Sequence, residues 1–283
     1  MYTWLEPGRL FMDYGPIQMT ISAFNFEEPL NKEMEEACYY AAEQLKELAS
    51  VISIAKLPSS EIREERLLPD VLKKMIKAVK ECGDLTLTPM ATVAGTFADK
   101  VADYIAARGA TKVIVNNGGD IALRLANGES TKVGIVSDIN HKSFSHIITL
   151  DSDSGIGGIA TSGFRGRSLT KGIASAAVAF GRTCREADAA ATLIGNYTYS
   201  DDSGIKQVLA EYLDPDTDIV GHLVTLSIGD LDPQTPSKAL DNGIAKVREL
   251  VAKKSILGAA IFLNNESRIY PEFLAEQIAA SHN

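Results

Sequence analysis

The chain has few cysteines, no long apolar run and no surplus of positive charge, and each shortage closes off a class of protein. Cys38, Cys82 and Cys184 are the three cysteines among 283 residues. They lie far apart and form no CxxC pair, which argues against a disulfide framework or a zinc knuckle and for reduced thiols. The clearest apolar run, residues 256–263, is far shorter than the ~20 residues a membrane-spanning helix requires. The first nine residues hold no apolar core of the kind a signal peptide needs. A formal charge of −9 with dispersed Lys and Arg argues against a nucleic-acid partner, because phosphate backbones are held by clustered cations. His141, His146, His222 and His282 show no metal-ligand spacing, and His146, on an apparent strand, reads as a packed residue. These shortages point to a cytoplasmic protein with no membrane and no nucleic acid among its partners.

The remaining composition, 45% hydrophobic and 23% charged, is that of an ordinary globular protein. The length suits one large domain or two intimately packed subregions, and no linker marks a boundary; residues 58–66 are a polar loop too short for one. Residues 17–24 alternate apolar and polar side chains, as a half-buried strand does. Residues 31–50 and 70–81 switch to helical spacing, the second with Asp70 at its N-cap after Pro69. A helix running to Arg108 is ended by Gly109, and residues 112–115 form a β-branched strand. Strands follow at 133–136 and 146–150. Residues 174–181 fit helix or strand, 186–196 fit a helix, and 223–228 and 256–263 read as buried strands flanking a helix at 237–253.

Three segments carry chemistry. In Asn116-Asn117-Gly118-Gly119-Asp120, paired glycines let backbone amides meet a ligand closely, although Asn-Gly is also common hairpin-turn chemistry. In Gly157-Gly158-Ile159-Ala160-Thr161-Ser162-Gly163, followed by Arg165, Gly166, Arg167 and Ser168, small residues, hydroxyls and two guanidiniums suit a phosphate or a carboxylate. In Ala187-Asp188-Ala189-Ala190-Ala191-Thr192, the i, i+4 spacing puts the Asp188 carboxylate and the Thr192 hydroxyl on one helical face. Both are hard oxygen ligands suited to Mg²⁺; alternatively Asp188 satisfies amides at a helix start.

Other patterns fail on context. Gly155-Ile156-Gly157-Gly158-Ile159-Ala160 fits a dinucleotide fingerprint, but it follows a polar run and a strand passes through it. Asp151, Asp153 and Gly155 hint at a calcium loop whose twelfth position is Ser162 where a Glu is needed. Ser168-Leu169-Thr170-Lys171 satisfies SxxK without a companion motif, which leaves acyl transfer remote.

Taken in order, Asn116-Asn117-Gly118-Gly119-Asp120, Ala160-Thr161-Ser162-Gly163 and Ala187-Asp188-Ala189-Ala190-Ala191-Thr192 resemble the ApbE family of FAD-dependent protein flavinyltransferases. With Thr-Pro-Met-Ala-Thr-Val-Ala-Gly at 88–95 and Gly-Arg-Ser at 166–168, the chain is closer still to an uncharacterised family of archaeal and bacterial proteins related to ApbE. The resemblance implies an α+β (mixed α/β) fold, mainly antiparallel sheets covered by helices around one cleft. It implies FAD or FMN as cofactor, with Mg²⁺ held by Asp188, Thr192 and the backbone at Val93, and a ligand lined by Gly118, Gly119, Asp120, Thr161, Ser162 and Gly163. Arg165, Arg167 and Ser168 add anion contacts. Two departures bear on activity: the family's Lys-Gly pair stands here as Ala94-Gly95, and residues 164–185 hold no counterpart of its His-containing segment. The exported lipoprotein start common in that family is also not seen, so a partner is expected in the cytosol. The expectation is a Mg²⁺-assisted transferase or pyrophosphatase-like enzyme acting on a phosphorylated small molecule. The alternatives are a non-catalytic accessory module of a reductase complex and new chemistry on a carboxylated substrate. Ala- and Gly-rich strands would permit a homodimer.

Overall fold

The computed structural model describes residues 1–137 and 145–280, so His141 and His282 lie outside the described residues. Strands β1 (Tyr2–Glu6), β2 (Arg9–Tyr14), β3 (Ile17–Asn25) and β4 (Glu28–Pro29) precede helices α1 (Asn31–Ala49), α2 (Ile52–Ala55), α3 (Asp70–Glu81) and α4 (Val93–Ala106). Then come β5 (Lys112–Asn117), β6 (Asp120–Leu125), β7 (Ser130–Ile135), β8 (His146–Asp151), β9 (Gly158–Ser162), β10 (Ala176–Gly181) and α5 (Cys184–Tyr197). The chain continues through β11 (Ile205–Leu209), β12 (Leu223–Ile228), α6 (Thr235–Ala252), β13 (Gly258–Leu263), β14 (Glu266–Tyr270), α7 (Glu272–Gln277) and β15 (Ile278–Ala280). This is the expected α+β class, with antiparallel sheets and covering helices. The chain divides into two compact units. The first holds Met1–Thr131, Leu150–Ala160 and Phe180–Asp188, and the second holds the rest.

In the first unit the strand order is β1-β2-β3-β5-β6-β9, and each neighbouring pair is antiparallel. The alternation read at residues 17–24 is realised in β3, where Ile17, Met19, Ile21 and Ala23 are buried between partly exposed neighbours. Helix α4 lies on β5 and β6 and packs against α1 and α3. Its Phe97, Val101 and Ile105 meet a core that includes Met19, Met34, Leu72, Met75, Ile76, Val113 and Val115. In α3 the buried positions Val71, Leu72, Met75, Ile76 and Val79 recur at helical spacing, which leaves the lysines on the outer face.

The second unit holds strands in the order β10-β13-β14, a three-stranded sheet β15-β8-β7 and a two-stranded ribbon of β11 and β12. Helix α6 covers β13 and β14. Residues 174–181, which fit either helix or strand, contain β10, buried at all six positions. A surface helix would have exposed one face. The reading of 223–228 as a buried strand is corrected: in β12 only Val224 and Thr225 are buried, because a ribbon strand has one neighbour, and Leu223 and Leu226 face outward. Among the described residues no helix is long and apolar enough to cross a membrane.

The cap assigned to Asp70 is also corrected. Pro69 occupies the cap position of α3, and Asp70 is the first helical residue. Its carboxylate accepts a hydrogen bond from Lys100 Nζ on α4 at 2.7 Å and pairs with Lys74 at 3.3 Å. Lys100 is only 4% exposed, so its ammonium depends on that partner. The Lys100 bond holds the Asp70 carboxyl below its ordinary value. A carboxylate depressed in the folded chain contributes stability that is present above its unfolded value of ~3.9 and is lost as the pH falls through the folded value. Asp70→Asn is expected to lower stability at neutral pH by about 1 kcal/mol, a figure reduced for the water that reaches Asp70. The difference from the unaltered chain should close in acid. Thermal melts across pH check this; equal melting temperatures at neutral pH would show that Lys100 does not rely on Asp70.

Candidate functional site

In the β5–β6 hairpin Asn117 pairs with Asp120, which leaves Gly118-Gly119 as a two-residue turn with φ of +72° and +112°. Positive φ at both central positions is the mirror-image turn that suits the twist of a hairpin, and glycine adopts it without strain. The Gly119 N–H donates to Asn116 Oδ1 at 2.9 Å. Asn117 is buried and donates from Nδ2 to the Ala94 carbonyl at 3.1 Å, which ties the hairpin to the first turn of α4.

The first amides of a helix have no acceptor within the helix. In α4 the Gly95 N–H donates to Asp188 Oδ2, on α5, at 2.8 Å. The converse bond set comes from Asp99 on α4: its Oδ1 accepts the Cys184 N–H and its Oδ2 the Arg185 N–H, each at 3.0 Å, and these are the first two amides of α5. Each helix thus supplies a carboxylate to the other's N-terminus, where the helix dipole favours negative charge. The approach requires a glycine. A Cβ on Gly95 would lie 2.6 Å from the Cys184 carbonyl oxygen and 2.8 Å from Asp188 Cβ.

The two carboxylates differ in their surroundings. Fully buried Asp99 is met by two guanidiniums, Arg124 Nη2 and Arg185 Nη1, both at 3.0 Å. Arg124 also reaches Asp103 at 2.7 Å and the Gly157 carbonyl at 3.1 Å. Asp188 has the Gly95 amide, and the charges that act on it are those of Asp120 and Asp99. Burial pushes its carboxyl well above the ordinary carboxylate range, Asp120 pushes it further, the Gly95 amide opposes, and Asp99 adds to the rise. Part of the Asp188 side chain still reaches the surface. Thr192 is half-buried one turn further along α5, and Val93, also half-buried, begins α4 two residues before Gly95. Asp188 and Thr192 are hard oxygen donors in an acidic setting and fit Mg²⁺. Among the described residues no cluster of three or more His, Cys, Asp or Glu forms a cation cage. Thiol chemistry is not favoured. Burial pushes Cys38 and Cys82 up to about 12 and Cys184 well above its ordinary value.

Gly157 and Gly158 serve packing. A Cβ on either would overlap backbone, that of Arg182 for Gly157 and of Cys184 for Gly158. Thr161, exposed, and Ser162, buried, end β9. Gly163 lies against the Ser175 carbonyl, 2.6 Å from where a Cβ would be. Arg165, Arg167 and Ser168 are exposed on the following loop of the second unit; Arg165 has φ +67° and its guanidinium is 5.4 Å from the Phe164 ring. The loop's far end is anchored where the Lys171 N–H donates to Asn196 Oδ1 at 2.9 Å and the Ala174 N–H to Thr198 Oγ1 at 3.0 Å. Asp151, weighed as a calcium ligand, accepts from the Asp153 and Ser154 amides and so closes a short 3₁₀ turn. His146 is half-buried, 5.0 Å from the Phe262 ring, as a packed residue should be.

Two surface depressions lie elsewhere in the first unit. One of about 620 Å³ is lined by Glu65, Arg66, Lys73, Lys77, Lys80 and Glu81; another of about 570 Å³ includes Tyr40, Asp70 and Lys100. Neither shares a residue with the Asp188 cluster. Sequence reasoning missed Asp99, Arg124 and Arg185. The usable signal was Asp99 itself, a carboxylate on the apolar stretch of a helix, where an unpaired charge is costly.

Gly95→Ala is expected to force α4 and α5 apart at a cost of roughly 1–3 kcal/mol, the usual range for overpacking. Urea denaturation measures it, and an unchanged midpoint would show that the two helix starts are not in this contact.

The pattern of the family described as AbpE bacteria matches residues 2–269. A UPF0280 protein of Methanosarcina acetivorans is 38% identical over 128 residues, 45% of this chain and 49% of that protein. One of Methanococcus aeolicus is 33% identical over 156 residues, 52% and 60% respectively. The chain spans about half the length of the curated relatives it matches. Among solved structures, the flavin transferase ApbE of Vibrio cholerae aligns at 16% identity over 66% of this chain and 85% of that one, with a TM-score of 0.45. A mutant of that enzyme aligns at 14% identity over 93% and 96%, with a TM-score of 0.48. With its sequence matched almost from end to end, this chain belongs to the AbpE bacteria family.

Proposed function

We propose that the chain binds a phosphorylated, flavin-type nucleotide together with Mg²⁺, with Asp188 and Thr192 as side-chain ligands to the metal and the backbone at Val93 beside them. The observation that carries this reading is geometric: the half-buried Asp188 carboxylate accepts one amide, that of Gly95 at 2.8 Å, and stands one helical turn from the Thr192 hydroxyl on α5; burial and the Asp120 charge, which raise its carboxyl, agree with it. A divalent cation relieves that field, and hard oxygens select Mg²⁺. Bound there, Mg²⁺ would neutralise a pyrophosphate and lower the cost of charge developing on its bridging oxygen. The family supplies the flavin part of the reading. Gly118, Gly119 and Asp120 on the first unit's hairpin are proposed ligand contacts on their chemistry; as a separate proposal within the second unit, Thr161, Ser162, Gly163, Arg165, Arg167 and Ser168 offer hydroxyls, amides and guanidiniums to an anion. FAD, FMN or a carboxylated analogue satisfies the same groups.

A second reading, a non-catalytic accessory module, is favoured by one position. Where the ApbE pattern has Lys-Gly, this chain has Ala94-Gly95, and the Ala94 carbonyl is occupied by Asn117. No ammonium is therefore supplied from that place. Turnover of FAD separates the two readings.

Thermal unfolding with FAD, FMN, ADP and ATP, each with and without Mg²⁺, tests binding, because a ligand specific to the folded chain adds ~2.7 kcal/mol at a hundred times its dissociation constant. A Mg²⁺-dependent rise with at least one nucleotide is expected, and no rise with any of them removes the proposal. Asp188→Asn should abolish the Mg²⁺-dependent part. Without metal and nucleotide the same variant should melt at or above the unaltered chain, since it removes a buried charge from among like charges and keeps an acceptor for Gly95. A strongly destabilised Asp188→Asn would mean that the carboxylate serves only as a helix cap.

A further inference from the structure

We infer that Asp99 is a positioning residue for the cation site, acting through the first turn of α5 on Asp188. This rests on the reading of Asp188 as a metal ligand. Asp99 touches neither Asp188 nor the proposed ligand; what it holds is the start of the helix that carries them. Its four partners are all donors: the Cys184 N–H and Arg124 Nη2 on Oδ1, the Arg185 N–H and Arg185 Nη1 on Oδ2. Two of these are the backbone of α5, and Asp188 follows four residues after Cys184, about one turn. Asp99 itself is fully buried, so a bond lost from its carboxylate is not readily replaced by solvent, while the two guanidiniums remain partly exposed.

Asparagine cannot take the place of this carboxylate. One of its two polar atoms is an amide nitrogen, which would face donors on whichever side it turned. Two bonds and the charge that faces the α5 N-terminus would go together. Arg185 steadies Oδ2 from the other side, so its guanidinium belongs to the same device. Partners that hold a metal ligand in orientation typically contribute 10–100-fold to metal affinity.

Charge alone also predicts that Asp99→Asn weakens a cation site, so the test uses substitutions whose charge changes have opposite sign. Binding of Mn²⁺, as a paramagnetic stand-in for Mg²⁺, is followed on the full chain by loss of the free-ion electron paramagnetic resonance signal. The variants are Asp99→Asn, Arg185→Gln and Asp188→Asn, with Asp103→Asn as a control that removes a carboxylate from Arg124 without touching α5. Positioning predicts that Asp99→Asn weakens Mn²⁺ binding about 10–100-fold and that Arg185→Gln weakens it as well, although the loss of a positive charge should by itself tighten it. Asp103→Asn should bind as the unaltered chain does. If Asp99→Asn does not fold, Arg185→Gln decides alone. Tighter or unchanged binding by Arg185→Gln overturns the inference, as does unchanged binding by Asp99→Asn. An unaltered chain that leaves the Mn²⁺ signal untouched, or an Asp188→Asn variant that binds as well as the unaltered chain, overturns the metal reading itself.

Discussion

The start of α5 is fixed by an exchange of carboxylates, and the candidate site depends on that exchange. Helix N-termini carry amides that nothing within the helix accepts, and buried amides without partners are costly. Here the solution is mutual: α4 gives Asp99 to α5, and α5 gives Asp188 to α4. Each helix therefore meets the other in one observed register, with Asp99 and Asp188 each accepting amides from the first turn of the partner helix. α4 has no side-chain cap of its own. At α5 a local cap is present as well: the Glu186 N–H donates to Thr183 Oγ1 at 3.4 Å and the Thr183 N–H to Glu186 Oε2 at 3.2 Å, so Asp99 adds to a capping box by accepting the two amides that the box leaves.

The exchange is symmetrical in geometry and unsymmetrical in charge. Asp99 is neutralised by Arg124 and Arg185 and is fully enclosed, so its position is over-determined. Asp188 is half-buried, accepts the single amide of Gly95 and feels the charge of Asp120. One residue type in one structural role thus has four donors, two guanidiniums among them, at Asp99 and one donor at Asp188. The difference is one of compensation: at Asp99 charge and hydrogen bonds are matched on all sides, and at Asp188 burial is met by a single amide, which is a cost to the fold.

The elements with strong periodicity were legible in the sequence. β3, α1, α3, α6 and the β5–β6 hairpin all lie within a few residues of where pattern and turn chemistry place them. β1 and β11 were not anticipated, because neither has a fully buried side chain to mark an inner face; β2 was missed although Leu10 and Met12 alternate as buried residues, a signal carried by two positions. The Asp70 cap failed because a buried lysine, distant in sequence, competes for the same carboxylate. For the site, Asp188 and Thr192 were legible as neighbours on one helix, and α5 carries both; their role as ligands is a proposal. Asp99, Arg124 and Arg185 were not legible, because their roles exist only once residues some 85 positions apart meet. Spacing reports what one helix face presents, and it is silent on which distant amide that face will find.

The glycines show the same limit from another side. Gly157 and Gly158 read in the sequence as permission for a ligand to approach backbone. In the fold, the space that a Cβ would fill at Gly157 and Gly158 is taken by the chain from Arg182 to Cys184, and at Gly95, which carried no such reading, by the Cys184 carbonyl and Asp188 Cβ. Three bare backbone positions from α4 and from the start of β9 therefore converge on the three residues that lead into α5. Asp99 then accepts the amides of the last of these and of its successor. Steric contact on carbon and hydrogen bonding on nitrogen restrict the same short segment, and Asp188 lies one turn beyond it. A glycine-rich pattern of this kind can therefore persist in a family without touching a phosphate, because what it secures is the placement of one carboxylate.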